Sequence, residues 1–536
     1  MNLWNKIFSF EEESENFVLK HQGKYTEYDI RDEKRCEEKV YVYNDIEKNL
    51  SYIKKRFTYP INNDIVIRQI MMKKDRKAFL VFIDGMVATA NLDLAVIKTL
   101  LSLPEFEDRE IYKYEEIIIE KYIAHAQAQA NNDFDVICEE INFGSCAVFV
   151  EGFSKAFILD VRNWGHRGID KPENEQSIYG PQEAFSEMLR NNSALIRKIT
   201  KTEKLIGESI KIGNVSKTRG ILMYISDIAN PELVNEAKRR LSSIDIDYVI
   251  AIEEVALLIE EKPFMITAQQ LLTERPDRAA RALTEGRCVF LLNGSPRAIV
   301  LPTNAFELTH AVSDDYLRLP YANMSRLIRI FAMFLSILLP AVYIAVTLFH
   351  QEIVPTYLLY SIAAARENVP FPSIVELFLM DFSFEMIREA GIRMPGPIGS
   401  TLGIVGGLIL GQAAVSAKIV SPIMIIIIAI TGIGSFATAD YSLGWTYRIL
   451  RIGFIILAGF LGFYGIALGI FLYALYLGAQ RSMGSEFLSP VPKSNSRSMT
   501  SSLFEKPIFK REKRPSFLFP KKKYEEGKIS RGWKKK

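Results

Sequence analysis

The chain has 536 residues, 24% of them charged and 49% hydrophobic, with a formal net charge of +3. That is too long for one small domain and too apolar for a disordered chain. Four cysteines (Cys36, Cys138, Cys146, Cys288) without a CxxC pair, and five scattered histidines, exclude a disulfide scaffold and a zinc module.

Residues 1–50 are polar, with EEESE and RDEKRCEEK runs, and read as a solvated or disordered lead-in. They contain no long apolar signal-peptide core, so the first large domain is expected to stay on the side where it is made. From residue 51 strands and helices alternate. Ile65–Met72 and Lys77–Ala90 read as strands, the second with a turn at Asp84–Gly85; Leu92–Leu101 and Glu115–Gln129 read as helices.

Phe134–Val161 then reads as helix, Gly144, strand, turn at Glu151–Gly152, strand. Arg281–Leu301 repeats that order, with Gly286 and a turn at Asn293–Gly294. CAVFVEG and CVFLLNG align Cys146 with Cys288 and Gly152 with Gly294. Between them, Gly220–Ala229, Pro231–Ile244 and Asp245–Glu261 read as a strand–helix–strand–helix unit. In TERPDRAARAL, Thr273 is placed as the N-cap before Pro276. Two α/β subdomains are expected, 51–200 and 201–326. Neither contains GxxxxGKS/T, GxGxxG after a strand, GxSxG or HExxH, so no cofactor and no enzymatic activity is expected.

Residues 327–479 change character. Ile330–Phe349 has no charge and follows Arg326 and Arg329, which mark the cytoplasmic end of a first span. Ile398–Ala417, Ile419–Ala439 and Ile452–Ala479 read as three further spans. Ile374–Ala390 carries Glu376, Asp381, Glu385 and Glu389; with four spans returning the tail to the cytoplasm, it reads as an interfacial or re-entrant helix. Gly399, Gly403, Gly407 and Gly411 recur every fourth residue, giving one helix face without side chains, the packing signal of helices in lipid. The region 480–536 closes the chain with 16 Lys+Arg against 5 Asp+Glu. Beside a membrane span this reads as a solvated or lipid-contacting cytoplasmic tail rather than a nucleic-acid arm.

The fold class is therefore multidomain: α/β subdomains, a polytopic α-helical membrane domain, and a basic tail. At RGIDKPENEQSIYGPQEAFSEMLRNNSALIRK (Arg167–Lys198), NPELVNEAKRRLSSIDID (Asn230–Asp247), TERPD with EGRCVFLLNGSPRAIVLP (Thr273–Pro302) and Arg366–Pro422, the chain resembles the A subunits of bacterial spore nutrient-germinant receptors. Ala184 and Lys418 depart from that pattern, where glycine and a neutral small residue are expected.

The resemblance implies a multi-pass protein of the inner spore membrane, with the N-terminal domain and the tail cytoplasmic. It implies a transporter-like B subunit and a lipoprotein C subunit as partners, and homo-oligomeric rings, pentamers, acting as nutrient-gated cation channels. The family also holds a sensor-less amplifier paralogue. On this reading Glu376, Asp381, Glu385 and Glu389 form a cation vestibule and Thr401, Ile404, Val405 and Leu408 the pore or gate; Glu385 and Glu389 are alternatively placed to pair with Arg388 and Arg393 along the helix. The four glycines pack helices, and Arg275 lies at a subunit interface. The alternative is a non-conducting membrane-anchored scaffold that relays a partner's state.

Overall fold

The computed structural model describes residues 17–19, 39–88, 92–102, 128–162, 171–393, 397–489, 503–511 and 513–525. Two five-stranded antiparallel sheets share one topology. The first joins β1 (Ile65–Met71), β2 (Lys77–Ile83), β3 (Ala128–Asn131), β4 (Cys146–Val150) and β5 (Ala156–Leu159) in the order β1-β2-β4-β5-β3. The second joins β6 (Leu205–Ile212), β7 (Thr218–Ile225), β8 (Leu271–Thr273), β9 (Cys288–Leu292) and β10 (Ala298–Leu301) in the order β6-β7-β9-β10-β8. The two expected hairpins are β4–β5 and β9–β10, with Cys146 opposite Leu159 and Cys288 opposite Leu301.

Both sheets are covered on both faces, which is why their strands read as nearly continuous apolar runs rather than alternating ones. In the first, Phe79, Val81 and Phe149 face helices α1 (Ile46–Arg56) and α2 (Phe134–Asn142), while Leu80, Phe82 and Val148 face the helical segment 92–102. In the second, Met223, Val289 and Leu291 pack with α3 (Leu189–Ile199). Leu222, Phe290 and Leu292 pack with α4 (Pro231–Ser242) and α5 (Ile252–Ile259). Side-chain caps start several helices: Asp45 accepts from Glu47 N, Asp133 from Asp135 N and Asn230 from Glu232 N. Helix α6 (Pro276–Glu285) differs from expectation. Its N-cap is Arg275, and Thr273 acts earlier, its Oγ accepting from Arg275 N at 3.1 Å.

Two further departures are physical. Residues 245–251 form no strand, and Ala128–Gln129, expected to end a helix, pair in β3 with Leu159 and Ile158. The rest of that expected helix, and residues 1–16, lie outside the described residues.

The two sheets are tied by a buried ion pair. Arg197 Nε donates to Asp64 Oδ2 at 2.8 Å, with side-chain exposures of 2% and 6%. Its Nη2 reaches Asn62 Oδ1 at 3.0 Å and the Leu205 carbonyl at 3.2 Å.

After the short α7 (Ala305–Thr309), the remainder is helical: α8 (Leu319–Leu348), α9 (Thr356–Arg366), α10 (Ser373–Arg393), α11 (Pro397–Ser416), α12 (Pro422–Phe436), α13 (Tyr441–Leu461) and α14 (Phe463–Gly478). Among the described residues, α8 and most of α13 (Ser442–Leu461) are long and apolar enough to cross a membrane. The expected single span Ile452–Ala479 is broken at Gly462, which has φ +59; a Cβ there would meet His350 Nε2 and Phe349 Cβ at 3.0 Å. The chain reverses, and α13 and α14 form a hairpin so tight that a Cβ on Gly465 would strike the Leu457 carbonyl. Ile374–Ala390 is part of a full 21-residue helix. Lys418, between α11 and α12, sits at φ +57, a left-handed position that glycine occupies without strain.

The chain beyond α14 returns to the second sheet. The small hairpin β11 (Arg481–Ser482) and β12 (Ser485–Glu486) buries Met483 and Phe487, and Gly484 O accepts from Leu19 N. Residues 503–525 continue over the same unit. Leu518 is fully buried, Lys521 Nζ donates to Ser226 O at 2.7 Å, and Lys522 pairs with Asp227 at 2.9 Å. This part of the basic tail is thus docked on protein; its charges meet carbonyls and carboxylates of the α/β domain.

Candidate functional site

Asp381, Glu385 and Glu389 are four residues apart on α10, so the helix places them on one side. Each acid of this helix is paired with arginine. Asp381 meets Arg451 of α13 at 2.8 Å, both nearly fully buried. Glu385 meets Arg448 at 3.2 Å, Arg388 at 3.4 Å and Arg451 at 3.8 Å. Two carboxylates therefore face three guanidinium groups. Arg388 is held further by Ser435 Oγ at 2.5 Å and by the rings of Phe436 and Phe384, at 4.5 and 5.1 Å. A buried charge without such partners would cost several kcal/mol, on the order of 3–5 when one partner is removed.

Glu376 stands apart. Its side chain is fully buried, Oε1 lies 3.4 Å from Arg366 of α9, and Oε2 accepts the Ser421 N–H at the start of α12 at 2.9 Å. Glu389 pairs with Arg393 at 2.7 Å on the exposed end of α10. The partners Arg448 and Arg451 read in the sequence only as charges flanking a span. Nothing local links them to acids some seventy positions earlier; the pairing exists only once α10 and α13 are adjacent.

The described part of the glycine ladder is open at Gly407 and buried against α12 at Gly411. A Cβ on Gly407 would meet nothing within 4 Å, and one on Gly411 would make ordinary contact with Ile425 at 3.7 Å. Leu408 is 68% exposed. The surroundings of Gly399 and Gly403 and the side chains of Thr401, Ile404 and Val405 lie outside the described residues. Close backbone packing within the chain falls to other glycines. A Cβ on Gly434 would sit 2.8 Å from the Ala332 carbonyl of α8, and one on Gly469 would sit 2.6 Å from Phe454.

A second cluster joins the α/β domain to the start of α8. Arg275, expected at a contact between subunits, is instead buried in its own chain. It holds Asp277 with two bonds, at 3.0 and 2.8 Å, and donates to the carbonyls of Glu175 and Pro181 at 3.1 and 2.7 Å. The YGPQEAF and TERPD motifs are thereby brought together across about a hundred residues. Gly180, at φ +90, packs against the Tyr316 ring where a Cβ would come within 2.5 Å.

Beside them lies a cavity of about 240 Å³ lined by Arg278, Arg281, Glu307, His310, Arg326 and Arg511 among others. Burial acts to raise the Glu307 carboxyl. Arg287, His310, Arg278 and Arg281 outweigh it and hold the group well below the usual carboxylate range. Below the cavity, fully buried Asp314 binds Arg326 at 3.1 Å and also Arg329, both on α8. Glu505 and Arg511 of the tail close the same cluster onto Arg326 and Asp315. Among the described residues no group of histidines, cysteines and carboxylates is arranged to hold a metal ion.

The profile described as Bacillus/Clostridium GerA spore germination protein matches residues 51–517. Spore germination protein KA of Bacillus subtilis is 35% identical over 497 residues, covering 92% of this chain and 90% of that protein. Spore germination protein GerLA of Bacillus cereus is 34% identical, covering 85% and 92%. The crystal structure of the N-terminal domain of the A subunit of the Bacillus megaterium spore germinant receptor GerK3 aligns with 49% of this chain and 96% of its own. Its identity is 26% and its TM-score 0.37. With the family profile spanning most of its length and relatives this similar over nine-tenths of theirs, the chain belongs to the GerA family of spore germination proteins.

Proposed function

We propose that the chain is the A subunit of a spore germinant receptor and acts in spore germination as part of an oligomeric, nutrient-gated cation channel. The supporting observation is a buried acid–arginine network on α10 beside the small-residue helix α11, where a Cβ on Gly406 or Gly407 would meet nothing within 4 Å. In a ring, a neighbouring copy covers that open face. The Asp381–Arg451 and Glu385–Arg448 pairs latch the closed state, and opening parts them so that the acids face the cation path. Leu408, exposed in the single chain, stands with Thr401, Ile404 and Val405 at the gate, where apolar side chains exclude water.

In this proposal α8 and α10 through α14 cross the inner spore membrane. Relative to a four-span reading, the full-length α10 adds one crossing and the break at Gly462 another. The count stays even, and the soluble sheets and basic tail share the cytoplasmic side. A transporter-like B subunit senses the nutrient and a lipoprotein C subunit completes the complex.

The test is reconstitution of the assembled subunits in liposomes. Nutrient-dependent cation flux, lost in Asp381→Asn with assembly intact, is the expected result. An intact complex without flux refutes the channel and favours a relaying scaffold, to which the excess of arginine over acid around Glu385 is suited.

A further inference from the structure

The segment 257–266 is apolar on its outside. Leu257, Leu258, Phe264 and Ile266 are 61%, 49%, 75% and 38% exposed. Four large apolar side chains exposed within ten residues mark a surface that meets something other than water. Their position says what. The Ile266 carbonyl accepts from Thr446 Oγ of α13 at 3.0 Å, its N–H donates to the Tyr476 hydroxyl of α14, and Lys262 Nζ donates to the Ala479 carbonyl at 3.0 Å. Gln480 Nε2 reaches the Thr267 carbonyl at 3.1 Å. The loop is fastened to the end of the α13–α14 hairpin, whose own Trp445, Ile449 and Leu475 are also exposed.

We infer that residues 257–266 form an interfacial anchor that seats the soluble domain on the lipid surface. Phe264 and the leucines enter the headgroup–acyl boundary, with Lys262 at the phosphate level. This rests on the reading of α13 and α14 as membrane-spanning. Aromatic and aliphatic side chains beside a lysine suit that boundary, as does a short helix too brief to cross. The hydrogen bonds to Thr446, Tyr476 and Ala479 keep the anchor in register with the helix ends, so the second sheet cannot tilt on the membrane without moving α13 and α14.

The test uses the full chain in vesicles of phosphatidylcholine brominated near the headgroup end of the acyl chains. Phe264→Trp is made in a Trp445→Phe background, and the emission of that background, from Trp4, Trp164 and Trp533, is subtracted. At a site 75% exposed the exchange leaves the core untouched. Bromolipid is expected to remove most of the added emission, and aqueous iodide little of it. If the emission of Trp445 in the unsubstituted chain is quenched but the added emission is not, the anchor is overturned while the spanning reading stands. If neither is quenched, the spanning reading falls and the anchor with it. Added emission shielded from both quenchers means that protein, a partner or a second copy, covers the loop, and this too overturns the proposal.

Discussion

Arg197→Ala tests whether the two sheets form one rigid unit. The substitution removes a guanidinium that is 2% exposed and leaves Asp64, 6% exposed, as a buried carboxylate with its cation gone. Asn62 keeps its bonds to the Leu205 carbonyl and the Gly207 N–H, both at 3.2 Å, so the loss is concentrated on Asp64. Orphaning one member of such a pair costs about 3–5 kcal/mol. For a unit of some 150–250 residues each kcal/mol moves the melting temperature by about 2–4 °C, so a fall of roughly 6–20 °C is expected. Thermal unfolding of the purified full chain, followed by fluorescence, measures it. Asp64→Asn combined with Arg197→Met removes both charges while preserving volume, and should recover most of the loss. An Arg197→Ala melting point within about 2 °C of the parent, or a double variant no better than the single one, refutes the reasoning.

Glu260 carries a pH effect: burial pushes its carboxyl up to about 7 against a hydrogen bond from Gln269 N–H that lowers it. A raised carboxyl contributes stability below its unfolded value that is lost as pH rises through the folded one. Melting at pH 5 and 8 should therefore show the parent losing ground to Glu260→Gln by at most about 3 kcal/mol, less because the group is partly exposed. Gly465→Ala, which drives a Cβ into the Leu457 carbonyl, should lower the yield of folded chain, whereas Gly407→Ala should leave folding unchanged and weaken only cross-linked oligomer. Equal folding defects in the two would remove the distinction between inner and outer glycines. Lys418→Gly relieves a left-handed residue and should raise stability by about 1 kcal/mol in a thermal melt. Arg511→Glu breaks the tail's contact with Asp315 and its own internal pair with Glu505, so trypsin should cut within 503–525 sooner, and Asp315→Arg in the same chain should restore part of the protection.

What could be read in advance was what local chemistry writes plainly. Glu151–Gly152 and Asn293–Gly294 announced their hairpins because glycine at positive φ between apolar runs has few other uses. The short edge strands AQAN and LLT carry no periodicity and become strands only by pairing with β5 and β10. Strand β6 is missing from the expected elements: Ile210 and Ile212 alternate with Ser209 and Lys211, but Gly207 and Glu208 disguise its start. Gly462 hid inside an apolar run where glycine is common, and its reversal depends on the approach of Phe349 and His350 from more than a hundred residues away. In the candidate site the spacing of the acids and the local pairs Glu385–Arg388 and Glu389–Arg393 were legible, but Arg448 and Arg451 were not, and neither was the tail's berth on the second sheet.

That berth has a consequence for the order in which the molecule is made. β6 to β10 are complete when Leu301 leaves the ribosome, yet Met483, Phe487 and Leu518, all fully buried against this unit, come much later. At about 5–20 residues per second, the roughly 200 residues between Leu301 and Leu518 take on the order of 10–40 s to synthesise. Throughout that interval the unit lacks its cover, and the chain emerging is the apolar helical region itself. The second α/β unit is therefore a structure finished from its far end, after the helices have left the ribosome. A fragment ending before Leu319 reproduces only the state that the nascent chain passes through.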